Sequence, residues 1–245
     1  HLGDWESGWK EFEQSRFDLD VRQSGQYEWI PEKRWKGQDL EGGTLVIEGE
    51  QGFGDQIQFV RFAEWIKRDR GASRVVFSCH PDLVGLMKRV PFLDEVSGQI
   101  YRDFDYHIPV MSLPALLGLR VHHRLFTAPY LEAEPAVIHR WKMRLGEKRK
   151  SLRVGICWRS APMAVKGDRV QKVKGINFVK RQESLSLDDL KSLLRSIDRS
   201  GDVDLISLQY QPGGEEEALL DSFGVVQPEI GNFNDTAALI ELCDR

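Results

Sequence analysis

The chain lacks most of the features that mark membrane, secreted and metal-dependent proteins. No apolar run approaches the ~20 residues a membrane span needs; the longest, such as Thr44–Ile47 and Arg74–Cys79, are strand-sized. The N-terminus is polar and acidic, without the basic and apolar blocks of a secretory signal. Only Cys79, Cys157 and Cys243 carry thiols, far apart and odd in number, so there is no disulfide framework or zinc spacing, and a reducing cytoplasm is the expected location. No histidine follows His139, and His122-His123 has no ligand partner at helical spacing. A Gly-x-Ser-x-Gly elbow and a Gly-Lys-Ser/Thr phosphate loop are both missing. So is an excess of positive charge: 34 Lys plus Arg stand against 38 Asp plus Glu, which disfavours a globally basic nucleic-acid binder. No internal repeat or low-complexity tract is visible.

What is present is a chain of 245 residues, 41% apolar and 29% charged, a mixture that can bury a core. At about 150 residues per domain this makes one large domain or two small ones. Residues 1–39 hold four of the seven tryptophans, and Trp5, Trp9, Phe12 and Phe17 recur at helical spacing, predicting an amphipathic helix from Asp4 to Phe17. From Leu40 the pattern alternates. Thr44–Ile47, Arg74–Cys79 and Tyr106–Val110 read as strands; Asp55–Arg70, Pro81–Arg89 and Leu113–Leu119 read as helices. That rhythm predicts an α/β fold with a parallel sheet in residues 40–134. Residues 135–150 read as a connecting helix. A second series in 151–245 follows: strands at Arg153–Trp158 and Val203–Leu208, and helices at Leu187–Ile197 (with Ser186 as N-cap), Glu215–Phe223 and Asn234–Cys243. Two strands make an unfinished open sheet, so the chain is expected to be a piece of a longer protein.

The sharpest local feature is Glu48-Gly49-Glu50-Gln51-Gly52-Phe53-Gly54-Asp55, between the first strand and the first helix. Ligands of open α/β sheets bind at the carboxyl ends of strands, where this loop lies. Its glycines allow a tight turn, but the order is not G-x-G-x-x-G, and Glu48, Glu50 and Asp55 fill the place an anion would want. Asp55 reads either as a helix cap or as a general base for a substrate hydroxyl, two roles that can coexist. A second feature is cationic. Arg159, Lys166, Arg169, Lys172, Lys174, Lys180 and Arg181 face only Asp168, an excess of +6 after a strand of the second half. Such a segment suits a diphosphate. It also fits a plain solvated surface or, less well with Phe178 as its lone aromatic, single-stranded nucleic acid. His80 follows a strand, and His107, beside Asp103, Asp105 and Tyr106, reads as a polar site or a surface histidine.

The run Glu50-Gln51-Gly52-Phe53-Gly54-Asp55-Gln56-Ile57-Gln58-Phe59-Val60-Arg61-Phe62 resembles the "EQGxGDxIQFxRY" segment of bacterial proteins that fuse tetratricopeptide repeats to a glycosyltransferase domain. Asp105-Tyr106-His107-Ile108-Pro109 with Ser112-Leu113-Pro114, Ala128-Pro129-Tyr130-Leu131, Val154-Gly155-Ile156-Cys157-Trp158, Ser207-Leu208-Gln209 and Asn234-Asp235-Thr236-Ala237-Ala238 have counterparts in the same order. Gly3-Asp4-Trp5-Glu6-Ser7-Gly8-Trp9 resembles the last repeat helix, so residues 1–39 are expected to end a tetratricopeptide-repeat region. The resemblance implies a GT-B architecture, two Rossmann-like lobes and a central cleft, akin to the heptosyltransferases and more loosely the O-GlcNAc transferases. It implies inverting, metal-independent transfer from a nucleotide-sugar, a substrate and not a cofactor, to a protein or glycan hydroxyl. Asp55 is then the base, and Glu50, Gln51, Asp105 and His107 shape the acceptor side. Trp158, Lys180, Arg181, Gln209, Asp235 and Thr236 serve the donor. Position 183, where the family carries arginine, is glutamate, and the family's "DTxxxHLAGA" segment is not in the chain, so an inactive scaffold or binding module is the alternative.

Overall fold

The computed structural model describes residues 4–19, 30–50, 52–118, 129–159, 185–199 and 201–244. The chain divides into two compact units, His1–Glu132 and Ala133–Arg245. No helix among the described residues is long and apolar enough to cross a membrane.

The first unit opens with α1 (Trp5–Leu19). Its aromatic stripe forms because Trp5, Trp9 and Phe12 fall on one face: ring centroids lie 6.2 and 5.9 Å apart in sequence order. A short 3-10 turn at Pro31–Lys33 leads to Trp35, which is fully buried. β1 (Thr44–Glu48) follows, with Leu45, Val46 and Ile47 at zero exposure, as a strand covered on both faces requires. The expected long helix is two pieces, α2 (Phe53–Val60) and α3 (Ala63–Asp69). No proline or glycine causes the break. Phe62, Glu64 and Trp65 instead donate to carbonyls three residues back, a local tightening that keeps Val60, Ala63 and Ile66 all buried.

β2 (Arg74–Ser78) and the one-turn α4 (Val84–Met87) precede β3 (Glu95–Ser97). Sequence reasoning misses β3: three half-buried, partly polar residues on a sheet edge carry no hydrophobic pattern. β4 (Tyr106–Pro109) and α5 (Leu113–Leu116) complete the unit; α5 is one turn, shorter than expected. The sheet is wholly parallel in the order β3-β2-β1-β4. Residue 34 adds a parallel bridge outside β4, with Trp35 N–H donating to His107 O at 3.0 Å. Arg34 also pairs with Glu13 of α1 at 2.6 Å, and α1 packs on α5, so residues expected as an extension are tied into this unit.

The second unit begins with α6 (Pro135–Leu145), started by Pro135 and ended by Gly146 at φ +69, where a side chain would be strained. Expected as a connector, α6 packs Val137 and Trp141 against Ala238 and Leu239 and so belongs to this unit. β5 (Leu152–Ile156), α7 (Leu187–Asp198), β6 (Val203–Ser207), α8 (Gly214–Ser222) and α9 (Phe233–Glu241) follow. Ser186 Oγ accepts from Asp189 N–H at 3.1 Å, the cap expected for α7. β5 and β6 pair in parallel, and Val226 bridges to Ile206 as a third line. Leu190, Leu194 and Leu220 cover one face of the pair; α6 and α9 cover the other.

Candidate functional site

In the first unit β1 sends its chain onward to β2 on one side and has β4 on the other. The strand order therefore reverses between β1 and β4, the place where open parallel sheets bind ligands. Glu48 ends β1 there at 2% exposure. Its Oε2 lies 3.4 Å from Nδ1 of His107, which is fully buried. His107 Nε2 lies 2.8 Å from Ile30 O and 3.4 Å from Ile30 N; the shorter contact assigns its proton to the carbonyl, so the proton in question is the one between Nδ1 and Glu48. Burial pushes the Glu48 carboxyl up, only partly offset by the imidazole. Burial alone would lower His107, but the Glu48 carboxylate and the Ile30 carbonyl hold it above its usual value. The pair thus keeps its shared proton to higher pH than either group would in water.

Gly49 is required by close approach. Its N–H donates to Ser78 O at 2.6 Å, and a Cβ there would stand 2.5 Å from Gln56 Oε1. Gln56, itself buried, uses that oxygen to hold His80 N–H at 3.0 Å. Glu50, 4% exposed, accepts from Met111 N–H at 3.1 Å and so ties the β1 loop to the end of β4. Asp55, half-buried in the first turn of α2, accepts from Gly52 N–H through Oδ2 at 3.1 Å. Its Oδ1 makes no hydrogen bond among the described residues. The cap role is present, and one carboxylate oxygen remains for other work.

The fold therefore brings Glu50 and Asp55 to one edge, with buried His107 behind it against Glu48. Asp105 stands apart. It precedes β4 at the opposite, N-terminal edge, where Oδ2 accepts from Thr44 N–H at 2.8 Å. Gln51 lies outside the described residues.

In the second unit the corresponding edge is built by the ends of β5 and β6. Gln209, 4% exposed, accepts through Oε1 from the Arg159 N–H at 3.1 Å, the Trp158 N–H at 3.4 Å and the Cys157 thiol at 3.5 Å. Its oxygen is saturated, so Gln209 fixes the chain leaving β5. Trp158, 5% exposed, packs in the core and donates its indole N–H to Glu216 at 2.7 Å. Glu216 also caps α8 through Gly213 N–H at 2.7 Å and pairs with Arg159 at 3.0 Å. Burial would raise the Glu216 carboxyl, but Arg159, Trp158 and Gly213 together hold it below its usual value. One cation of the basic segment is thus already neutralised. Sequence reasoning missed this; the available signal was Gly213-x-x-Glu216 before a helix, a capping-box spacing.

Asp235 also serves the interior. At 4% exposure it accepts from Trp141 Nε1–H at 2.8 Å and Gly231 N–H at 3.0 Å and pairs with Arg140, joining α9 to α6. Burial would raise it, yet these donors keep it below the ordinary carboxylate range. Thr236 is half-buried in the same turn. Lys180 and Arg181 lie outside the described residues, as does Glu183.

Over 179 residues the chain is 28% identical to protein FlbA of Caulobacter vibrioides, an alignment covering 65% of this chain. The chain spans only 29% of the length of that relative. No protein-family profile matches the chain, and no solved structure matches it.

Proposed function

We propose that this chain is part of a glycosyltransferase with two Rossmann-like lobes in a GT-B arrangement, moving a sugar from a nucleotide-sugar to a hydroxyl with inversion. The observation that carries the proposal is the acidic glycine loop at the β1–β4 reversal, with Asp55 Oδ1 making no hydrogen bond among the described residues. In the proposed reaction Asp55 takes the proton of the attacking hydroxyl. The hydroxyl oxygen bonds to the anomeric carbon as the bond to the nucleoside diphosphate breaks. The cationic segment holding Lys180 and Arg181 stabilises the departing charge in place of a metal ion. Trp158 and Gln209 act by fixing the root of that segment. Residues before Ile30 are proposed to continue into tetratricopeptide repeats that recruit the acceptor.

The test uses the full-length protein. Release of nucleoside diphosphate is followed across UDP-, GDP- and ADP-sugars, with Asp55→Asn alongside wild type. Asp55→Asn should lower transfer by about 10²–10⁴-fold while leaving folding intact; transfer near the wild-type rate would remove Asp55 as the base. A binding-module reading is favoured by the Arg159–Glu216 pair and by Glu183, two positions after Arg181, which reduce the charge available to a diphosphate. No thermal stabilisation by UDP, GDP or ADP would favour it.

A further inference from the structure

The edge loops of the first sheet, residues 48–56, 79–83, 97–100 and 109–114, contain Glu48, Glu50, Asp55 and Asp82 and no lysine or arginine. An anionic ligand would meet like charge there. On the same edge, at the start of α2, Phe53 keeps 37% of its surface exposed where a helix start would favour a polar residue. Its ring meets the His80 imidazole edge-to-face, centroids 4.7 Å apart and planes at 87°. The corner is fixed from behind: buried Gln56 holds His80 N–H, and Gln56 is itself wedged over Gly49. Asp82 N–H donates to His80 Nδ1 at 3.3 Å, so in the neutral ring the proton sits on Nε2. When the ring is charged, Asp82 Oδ2 stands 3.6 Å from Nδ1, and Nε2 still carries its proton. Nε2–H makes no hydrogen bond among the described residues. The corner thus offers an apolar ring and a fixed donor at right angles, in an acidic surround.

We propose that Phe53 and His80 form a subsite for a neutral carbohydrate: the ring packs on the C–H face of a sugar and Nε2–H donates to one of its hydroxyls. The inference rests on the transferase reading above and makes the acceptor a neutral glycan, not a peptide serine or an anionic sugar. The test is saturation-transfer NMR on the full-length protein with methyl β-glucoside, methyl β-galactoside, methyl α-mannoside and methyl N-acetyl-β-glucosaminide. Methyl β-glucuronide and a serine peptide serve as contrasts. At least one neutral glycoside should bind, with the glucuronide about tenfold weaker. Phe53→Ala should weaken binding about tenfold, with Phe53→Leu, which keeps the apolar bulk and guards against misfolding, in between. His80→Phe should lose the donor and keep the wall. Failure of every neutral glycoside to bind, equal binding of the glucuronide, preference for the peptide, or indifference to both Phe53→Ala and His80→Phe would each overturn the proposal. Nucleotide stabilisation is read separately. Phe53-dependent sugar binding without it sinks the transferase and leaves the subsite; nucleotide stabilisation with Phe53-independent sugar binding does the reverse.

Discussion

The ligand edges of the two sheets are built from opposite materials. The first is a loop of glycines and carboxylates in which each buried acid is held by a neutral donor or by His107, and Asp55 Oδ1 makes no hydrogen bond among the described residues. The second presents a cation, Arg159, already paired with Glu216, and an amide, Gln209, whose oxygen is filled by three donors. On the proposed reading the first edge accepts a proton, whereas the described part of the second fixes residues 157–159 where the chain leaves β5. If that division is real, damage at the first edge should alter chemistry and stability separately, while damage at the second should alter both through those contacts.

The largest stability effect should come from the buried pair of the first edge. His107→Ala leaves Glu48 at 2% exposure with no counter-group and frees the Ile30 carbonyl inside the fold. Breaking a buried pair by removing one partner costs about 3–5 kcal/mol. Urea unfolding followed by hydrogen exchange, which reads the two units apart, should show the loss in the peptides of residues 44–48 and 106–110 and leave β5 and β6 unchanged. Loss in both units alike would break the comparison.

Next in size is Glu216→Ala. It strips acceptors from the Trp158 indole, the Arg159 guanidinium and the α8 N-terminus at once. The cost should be about 2 kcal/mol, the sum of a cap and one or two partly buried charged hydrogen bonds. The same variant sharpens the functional side: donor binding should weaken through the loss of the Trp158 and Arg159 contacts. Unchanged nucleotide affinity in Glu216→Ala would mean those contacts do not position the segment.

These two sites also show what the sequence makes legible and what it hides. The Gly52–Asp55 cap is readable because its contact is local, three residues apart. Ser186 is readable for the same reason, and Ser186→Ala should cost about 1 kcal/mol by chemical denaturation. The long-range partners are hidden. Asp235 looks like a ligand-facing residue at a helix start, yet Trp141 and Arg140, some ninety positions earlier, turn it inward. Asp105 sits in a motif beside His107, but it precedes β4 at the N-terminal edge while His107 lies buried within the strand. Even β3 escapes because an edge strand need not be apolar.

The smallest expected effect is a difference in pH response. In the first unit both members of the Glu48–His107 pair have folded values raised above the unfolded ones, 4.5 for Glu and 6.5 for His. The folded state then binds protons more tightly, so stability falls as pH rises. The histidine part is fully present below 6.5 and is lost as pH climbs through its raised folded value. In the second unit Asp235 and Glu216 are depressed below 3.8 and 4.5, so their contribution is present above those values and lost as pH falls through the folded ones. Hydrogen exchange across pH 3 to 9 should therefore show β1 and β4 loosening toward the alkaline end, and α8 and α9 toward the acid end. Asp94, also depressed, adds an acid-side loss near β2 and β3. His107→Asn isolates the pair: it should flatten the alkaline limb of the first unit and leave the second unit's acid limb as it was. An alkaline limb that persists in His107→Asn would show that the shared proton between β1 and β4 is not what sets the first unit's response.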